Sequence, residues 1–320
     1  MPAGGGAAQR FACAGRYGGA GICGGADVRL LLRRVIQKAP AAGAARLPAG
    51  DGADALVPAI VDAVGERFVR WYESRPPDVG ATVARAIQAF QRHGSWDSAS
   101  ADVAAALGER AAGNGALMRT LPVSFFWPDD PARTIAVSRA LTRMTHPAPH
   151  AEWCSAYYNL LVLRLLRGEG PLDAAMDAAA ADMRRIAPDL EATGLWAHVR
   201  AAGRLSRGAV ENPTGYSVRT LIAALWAVLQ GATAEEAIVL AANLGGDADT
   251  VAAVAGGLAG AVWGGEALPR RWVGALGDRG EGRMATPLGR ARAAWAAEVA
   301  DVLEDRPGRG MGWSGQKGRG

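Results

Sequence analysis

The stretch N-L-G-G-D-A-D-T-V-A-A-V-A-G-G-L-A-G, residues 243–260, sets two carboxylates and a hydroxyl between a glycine pair and a run of small apolar residues. Glycine permits a sharp turn at the end of a helix, and a run of small apolar residues is typical of a closely packed helix. We therefore predict that Gly245 and Gly246 end one helix and that the next begins near Thr250, with Asp249 as its N-cap. The stretch joins two predicted helices through a charged turn.

The charges in this turn have two interpretations. In a tight turn, Asp247 and Asp249 can converge on one cation, and Thr250 adds a third oxygen; such hard ligands suit Mg²⁺, Ca²⁺ or Mn²⁺. Alternatively, Asp249 is only a helix cap and Asp247 a solvated loop residue, which would leave a purely structural helical protein. The sequence by itself keeps both interpretations open.

Three glycines in the following helix, Gly256, Gly260 and Gly264, recur every four residues. Residues four apart lie on the same face of a helix, so the spacing predicts a bare face against which another helix packs closely.

The remaining chain is predicted to be all-α, because from about Leu56 onward the apolar residues recur at helical spacing without the alternation of a strand. Asp130 followed by Pro131 predicts a helix start, and Thr233 with Glu236 predicts a capping box at another. Further helices are predicted over residues 151–167, closed by Gly168, and over residues 219–230.

Composition divides the chain into three parts. Residues 1–55 form a Gly/Ala/Arg-rich segment, residues 56–306 the helical domain, and residues 307–320 a Gly-rich tail predicted to be disordered.

Charge and cysteine content exclude several classes of protein. The formal charge is only +4 and much of the arginine lies near the two ends, so we expect no nucleic-acid partner. Three cysteines without C-x-x-C spacing predict neither disulfides nor a zinc site. There is no signal-peptide pattern, and the longest uncharged run is too short to cross a bilayer. We therefore expect a cytoplasmic protein without membrane contacts, and a monomer.

Three further motifs carry polar side chains in loops. In G-N-G-A-L-M-R (113–119) the glycines let backbone amides approach a ligand, although an ordinary turn at Asn114 is the alternative. In T-H (145–146) the histidine is able to bond a base or a sugar, or is only a surface residue. In N-P-T-G-Y (212–216) an aromatic ring precedes a buried helix, and its alternative is packing against the core.

Taken together and in order, these motifs resemble the ADP-ribosylglycohydrolase family. The resemblance rests on residues 113–119, 145–146, G-Y-S-V-R-T-L-I-A-A-L-W-A (215–227) and the acidic stretch extended through residue 264. E-R-F-V-R-W-Y-E-S-R-P-P-D-V-G (66–80) also looks similar, so the resemblance runs from about residue 66 to 272.

The resemblance implies a compact, orthogonal all-α helical bundle with two Mg²⁺ or Mn²⁺ ions at the base of an ADP-ribose cleft. It implies a hydrolase that removes ADP-ribose from a modified protein side chain or small conjugate, with Asp247, Asp249 and Thr250 as metal ligands. Either aspartate would supply the catalytic carboxylate, since a carboxylate manages the proton as an oxocarbenium-like state develops. The implied ADP-ribose-binding residues are Gly113, Asn114, Gly115, Met118, His146, Gly215 and Tyr216.

Two acidic motifs that the family carries near its N-terminus, G-D-A-x-G and T-D-D-T, do not occur in this sequence. One explanation is that the first 50 or so residues are foreign to the fold, from a shifted frame or a wrong start; the composition change near residues 51–60 favours it. The other is a degenerate member that binds ADP-ribose or a related nucleotide without hydrolysing it.

Overall fold

The computed structural model describes residues 52–76, 78–191 and 193–272, and in these ranges the chain is helical. The all-α prediction is confirmed: β pairing among the described residues is limited to a single bridge between Gly113 and Tyr216. The α-helices, numbered in chain order, are α1 (Gly52–Glu73), α2 (Ala81–His93), α3 (Trp96–Leu107), α4 (Pro131–Arg143), α5 (Pro149–Leu166), α6 (Leu172–Ile186), α7 (Pro188–Glu191), α8 (Leu195–Arg200), α9 (Arg207–Val210), α10 (Ser217–Gln230), α11 (Ala234–Ala242) and α12 (Ala248–Trp263). Short 3₁₀ turns occupy Gly108–Ala111, Leu121–Phe125, Ala202–Arg204 and Gly265–Ala267.

Several helix ends follow the chemistry expected of them. The Asp130 side chain accepts a hydrogen bond from the third backbone N–H of α4, and Pro131 takes the first helical position. At α11 the Thr233 hydroxyl accepts from the backbone N–H of Glu236 at 3.1 Å. The Glu236 carboxylate reaches back one residue further than a standard capping box requires, to the N–H of Ala232 at 2.9 Å.

The largest core surrounds α5, which is buried along nearly its whole length. Its apolar residues pack against those of α6, α10 and α12, so α5 needs no polar face. The buried carboxylate of Glu152 is paired: it binds the guanidinium groups of Arg139 at 3.2 Å and Arg143 at 2.7 Å. Burial on this scale is the main source of stability for the half of the domain that holds α10 and α12.

A second core joins helices α1 to α4 through residues such as Ile60, Ile87 and Leu141. A small third cluster of alanines, with Val103, lies beside it, and the ring of Tyr216 packs against that cluster. Tyr216 therefore sits where the first helices of the domain meet the segment before α10.

The start of α12 differs from the expectation. The helix begins at Ala248, Asp247 holds the N-cap position, and Asp249 lies in the first turn instead of capping it. Gly245 and Gly246 have φ of 76° and 53°, so the glycine pair does end the preceding helix as expected.

The prediction that another helix packs against Gly256, Gly260 and Gly264 is wrong. A Cβ built at Gly256, Gly260 or Gly264 would meet no atom within 4 Å, and Gly264 lies beyond the last helical residue. The close approach is instead at Gly257, where a Cβ would lie 2.3 Å from the Tyr158 hydroxyl of α5. The helix crossing therefore uses one glycine that the four-residue spacing does not include.

Of the three predicted parts of the chain, the structure describes mainly the helical domain. Residues 1–51 and 273–320, which include most of the N-terminal segment and the whole predicted tail, lie outside the described residues. Across the part that is described, no helix combines the length and the hydropathy needed to cross a bilayer.

Candidate active site

Three separate segments meet at the N-terminus of α12. The backbone N–H of Asn114 donates to the carbonyl of Gly215 at 2.8 Å, which ties the 113–115 loop to the segment before α10. That segment is tied in turn to the acidic turn, because the N–H of Asp247 donates to the carbonyl of Pro213 at 2.9 Å. Motifs that are far apart in the sequence therefore form one site.

Asn114 occupies the centre of this site. Its side-chain amide donates to the hydroxyl of Thr220 at 2.8 Å and to Oδ2 of Asp247 at 2.6 Å. The residue is only 8% exposed, and both amide hydrogens are used. A side chain at Gly215 would lie 3.6 Å from the same Asp247 oxygen, so glycine there leaves the carboxylate open on one side.

The two carboxylates of the turn do converge. Oδ1 of Asp247 accepts from the Thr250 hydroxyl at 2.9 Å, while Oδ2 accepts from Asn114. Burial raises the pKa of the Asp249 carboxyl, and a hydrogen bond to Asp247 together with the charge of that neighbour raises it further. Asp249 is thus a carboxyl that retains its proton more readily than an exposed aspartate does.

These residues fit part of a cation shell. Two carboxylates brought together and a hydroxyl beside them are oxygen donors of the kind that Mg²⁺ and Mn²⁺ prefer, and a divalent charge would relieve the repulsion between the carboxylates. However, no group of three or more His, Cys, Asp or Glu side chains able to share an ion occurs among the described residues. The described side chains therefore suit one divalent ion with an incomplete protein shell, and do not supply the ligands of a second.

His146 lies beneath the 113–115 loop and is 3% exposed, so it is not a surface histidine. A Cβ at Gly115 would come within 2.9 Å of its ring and one at Gly113 within 3.1 Å, which explains why both loop positions are glycine. Its Nδ1 lies 2.7 Å from the Thr145 hydroxyl. Burial, followed by the nearby charge of Arg119, lowers the pKa of His146 to about 3, so the ring is neutral.

Arg119 connects the 113–115 loop to the loop that contains Thr145 and His146. Its guanidinium donates to the carbonyl of Gly115 at 2.7 Å, the carbonyl of Leu141 at 2.9 Å and the hydroxyl of Thr145 at 2.6 Å. Since arginine only donates, the single Thr145 hydrogen is left to donate to Nδ1 of His146. The orientation of the histidine ring is therefore fixed by Arg119 through Thr145.

Tyr216 stands at the rim of the site and is half-buried. Its hydroxyl hydrogen-bonds Nδ1 of His150, in the first turn of α5, and the two rings lie 6.0 Å apart between centroids. The sulfur of Met118 lies 3.8 Å from the Thr250 hydroxyl. The thioether is therefore an apolar surface beside the acidic turn.

The structure thus brings together Asn114, Gly215 and the acidic turn, with Gly113 and Gly115 above His146 and with Met118 and Tyr216 at the sides. Sequence reasoning gave no role to Thr220, His150 or Arg119. Arg119 lies within the G-N-G-A-L-M-R motif, so the motif itself could have identified this residue. Thr220 lies four residues after Tyr216, a spacing that puts both residues on the same face of a helix.

Comparison with known proteins finds one family along most of the chain. The model of the ADP-ribosylglycohydrolase family matches residues 30–308. The ADP-ribosylarginine hydrolase Tri1 of Serratia proteamaculans is 31% identical over 216 residues, which cover 65% of this chain and 55% of that protein. The ADP-ribosyl-[dinitrogen reductase] glycohydrolase of Rhodospirillum rubrum is 30% identical over 211 residues, which cover 66% of this chain and 64% of that protein.

A solved structure of an ADP-ribosylglycohydrolase-related protein complex matches the fold with a TM-score of 0.54 and 28% identity, covering 84% of this chain and 97% of that one. The chain spans between about half and two thirds of the length of the curated relatives named above. Because the family match extends over most of its residues, the chain belongs to the ADP-ribosylglycohydrolase family.

Proposed function

We propose that the protein hydrolyses the bond between the anomeric carbon of ADP-ribose and an arginine side chain of a modified protein, in a reaction that depends on Mg²⁺ or Mn²⁺. The observation that carries the proposal is the 2.6 Å bond from Asn114 to Asp247, which joins two of the family's motifs into one site. The arginine acceptor follows the relatives, two of which are named as ADP-ribosylarginine hydrolases. The substrate partner is an ADP-ribosylated protein, and we propose a cytoplasmic monomer.

The two aspartates have different roles in the proposed mechanism. Asp247 accepts hydrogen bonds from Asn114 and Thr250, so its carboxylate is fixed in position, and it orients the ribose end of the ligand through its remaining lone pairs. Asp249 is the more exposed of the two, so its carboxylate is open to the attacking water. We assign to Asp249 the role of general base, which accepts a proton from the attacking water.

A divalent ion held by Asp247, Asp249 and Thr250 would position ribose hydroxyls and a water at this end of the site. Hydrolysis breaks the bond from the anomeric carbon to the guanidinium nitrogen and forms a bond to the water oxygen. The carboxylate of Asp249 receives the proton released by water, the departing nitrogen takes up a proton from solvent, and Asp249 returns its proton to solvent when the products leave. The apolar surfaces of Met118 and Tyr216 limit the access of bulk water.

A second function, binding of ADP-ribose without hydrolysis, is favoured by one observation: the described residues supply ligands for only part of one ion shell. A partial shell lowers the affinity for the cation, because hard divalent ions in proteins require six or more oxygen ligands, protein or water. A protein of this kind would still recognise ADP-ribose through its 113–115 loop.

The acceptor is tested with two peptides that carry ADP-ribose on arginine or on serine, incubated with the protein and either metal. Free ADP-ribose is quantified over time, with the Asp249→Asn variant as the matched control. We expect release from the arginine peptide only, and loss of most of it in the variant. Release from serine alone would refute the arginine assignment, and equal rates in wild type and variant would refute the role of Asp249.

A further inference from the structure

The guanidinium of Arg119 is a buried charge beneath the active-site loop. The residue is 4% exposed, in the turn that follows the loop and before the Leu121–Phe125 3₁₀ segment. Its hydrogen-bond acceptors are two backbone carbonyls and one hydroxyl, and the ring of Phe68 lies 5.0 Å from its central carbon. All of these partners are neutral.

Among the residues that the structure describes, no carboxylate forms an ion pair with Arg119. Charged side chains are seldom fully buried without a counter-charge, because removal from water costs several kcal/mol per ion. Burial lowers the pKa of Arg119 to about 9, which leaves it protonated at neutral pH. The positive charge therefore acts on its surroundings without a direct ion pair to cancel it.

Opposite charges lie against neighbouring residues of the loop. Arg119 contacts the carbonyl of Gly115, whereas the carboxylate of Asp247 contacts the side chain of Asn114, the preceding residue. His146, which packs against both loop glycines and is joined to Arg119 through Thr145, is neutral and does not offset either charge. The 113–115 loop thus has a positive charge against Gly115 and a negative carboxylate against Asn114.

We propose that Arg119 is a positioning residue whose buried charge attracts the diphosphate of ADP-ribose to the Gly115 end of the loop and so directs the uncharged terminal ribose to Asp247. The proposal rests on the proposed function, because it presupposes that ADP-ribose binds here. It differs from a purely structural role for Arg119, in which the three hydrogen bonds hold two loops together and the charge itself has no consequence. Electrostatic attraction of this kind discriminates between charged and neutral ligands, whereas loosened loops do not.

The test compares two variants of the full chain that both keep a hydrogen-bond donor at this position. Arg119→Lys retains the positive charge and Arg119→Gln removes it. A third variant, Thr145→Val, breaks one of the hydrogen bonds of Arg119 and leaves its charge in place. Dissociation constants are measured by calorimetry for ADP-ribose, which carries the diphosphate, and for adenosine, which is neutral, and circular dichroism establishes that each variant is folded.

We expect Arg119→Gln to weaken ADP-ribose binding about tenfold or more, the effect of roughly one unscreened charge interaction, and adenosine binding by no more than about twofold. Arg119→Lys and Thr145→Val should keep the wild-type ratio of the two constants. If Arg119→Gln weakens both ligands by the same factor, or if Arg119→Lys loses the ratio as fully as Arg119→Gln does, the charge has no role and the proposal is overturned. Wild-type protein that binds neither ligand and releases no ADP-ribose would instead refute the proposed function itself.

Discussion

A methyl group added at Gly257 would collide with the core beneath the active-site helix. An ideal Cβ at this position would lie 2.3 Å from the hydroxyl oxygen of Tyr158 and 3.0 Å from a methyl carbon of Leu121. Tyr158 is 1% exposed and its ring cannot swing away, and its hydroxyl donates to the carbonyl of Val254 at 3.2 Å. The Gly257→Ala variant must therefore shift α12 away from α5 or displace the tyrosine.

The expected size of this effect follows from three contributions. Overpacking in a filled core costs about 1–3 kcal/mol. Loss of the Tyr158 hydrogen bond adds about 1 kcal/mol, and the better helix propensity of alanine returns about 1 kcal/mol. The net destabilisation is about 1–3 kcal/mol. The matched control is Gly256→Ala, where a Cβ meets nothing within 4 Å, so that only the helix-propensity gain of about 0.5–1 kcal/mol applies.

Thermal unfolding followed by circular dichroism distinguishes the two neighbours. At about 2–4 °C per kcal/mol for a domain of this size, we expect a lower Tm in Gly257→Ala and a slightly higher Tm in Gly256→Ala. The informative result is that the change in Tm has opposite signs at these two adjacent glycines. Equal Tm changes in the two variants would refute the packing of α12 against α5 described above.

Three further predictions concern the site. Asn114→Asp sets a third carboxylate against Asp247, so calorimetry should show ADP-ribose affinity lowered about tenfold or more; unchanged affinity would contradict the central position of Asn114. His146 has a pKa of about 3 in the folded chain against an ordinary value of 6.5, so the unfolded chain binds the extra proton between these values. Its contribution to the free energy of unfolding should therefore fall by about 1.4 kcal/mol per pH unit below pH 6.5, and urea unfolding of His146→Gln should lack this part of the slope. Millimolar Mg²⁺ or Mn²⁺ should raise the Tm slightly in the wild type and not in Asp247→Ala; a rise that persists in the variant would place the ion elsewhere.

The helical fold could be predicted from sequence because it follows from local rules. Apolar spacing identified the helices, and cap residues such as Asp130 and Thr233 gave their starts. The face that α12 turns toward α5 could not be predicted in this way. Gly256 and Gly257 are equivalent by composition, and only the position of Tyr158 on another helix decides which of them must be small.

The residues of the site were largely predictable, and their roles less so. The sequence left open whether the two carboxylates of the acidic turn converge or Asp249 only caps the helix, and in the structure Asp247 takes the N-cap position that had been expected for Asp249. His146 was expected either to bind the ligand or to be a surface residue, and its burial against the loop glycines excludes the second alternative, which sequence could not do because it does not show how deeply a loop residue is buried. The uncompensated charge of Arg119 was not predicted, since the lack of a counter-ion is a property of the folded molecule.

Release of ADP-ribose in a single turnover tests the central claim most directly. Protein in excess over a peptide carrying ADP-ribosylarginine is mixed with Mn²⁺ or Mg²⁺, and free ADP-ribose is followed alongside the Asp247→Ala variant. The account predicts complete release by the wild type and little by the variant. A flat time course from protein that binds ADP-ribose tightly would contradict the hydrolase and leave a binding protein in its place.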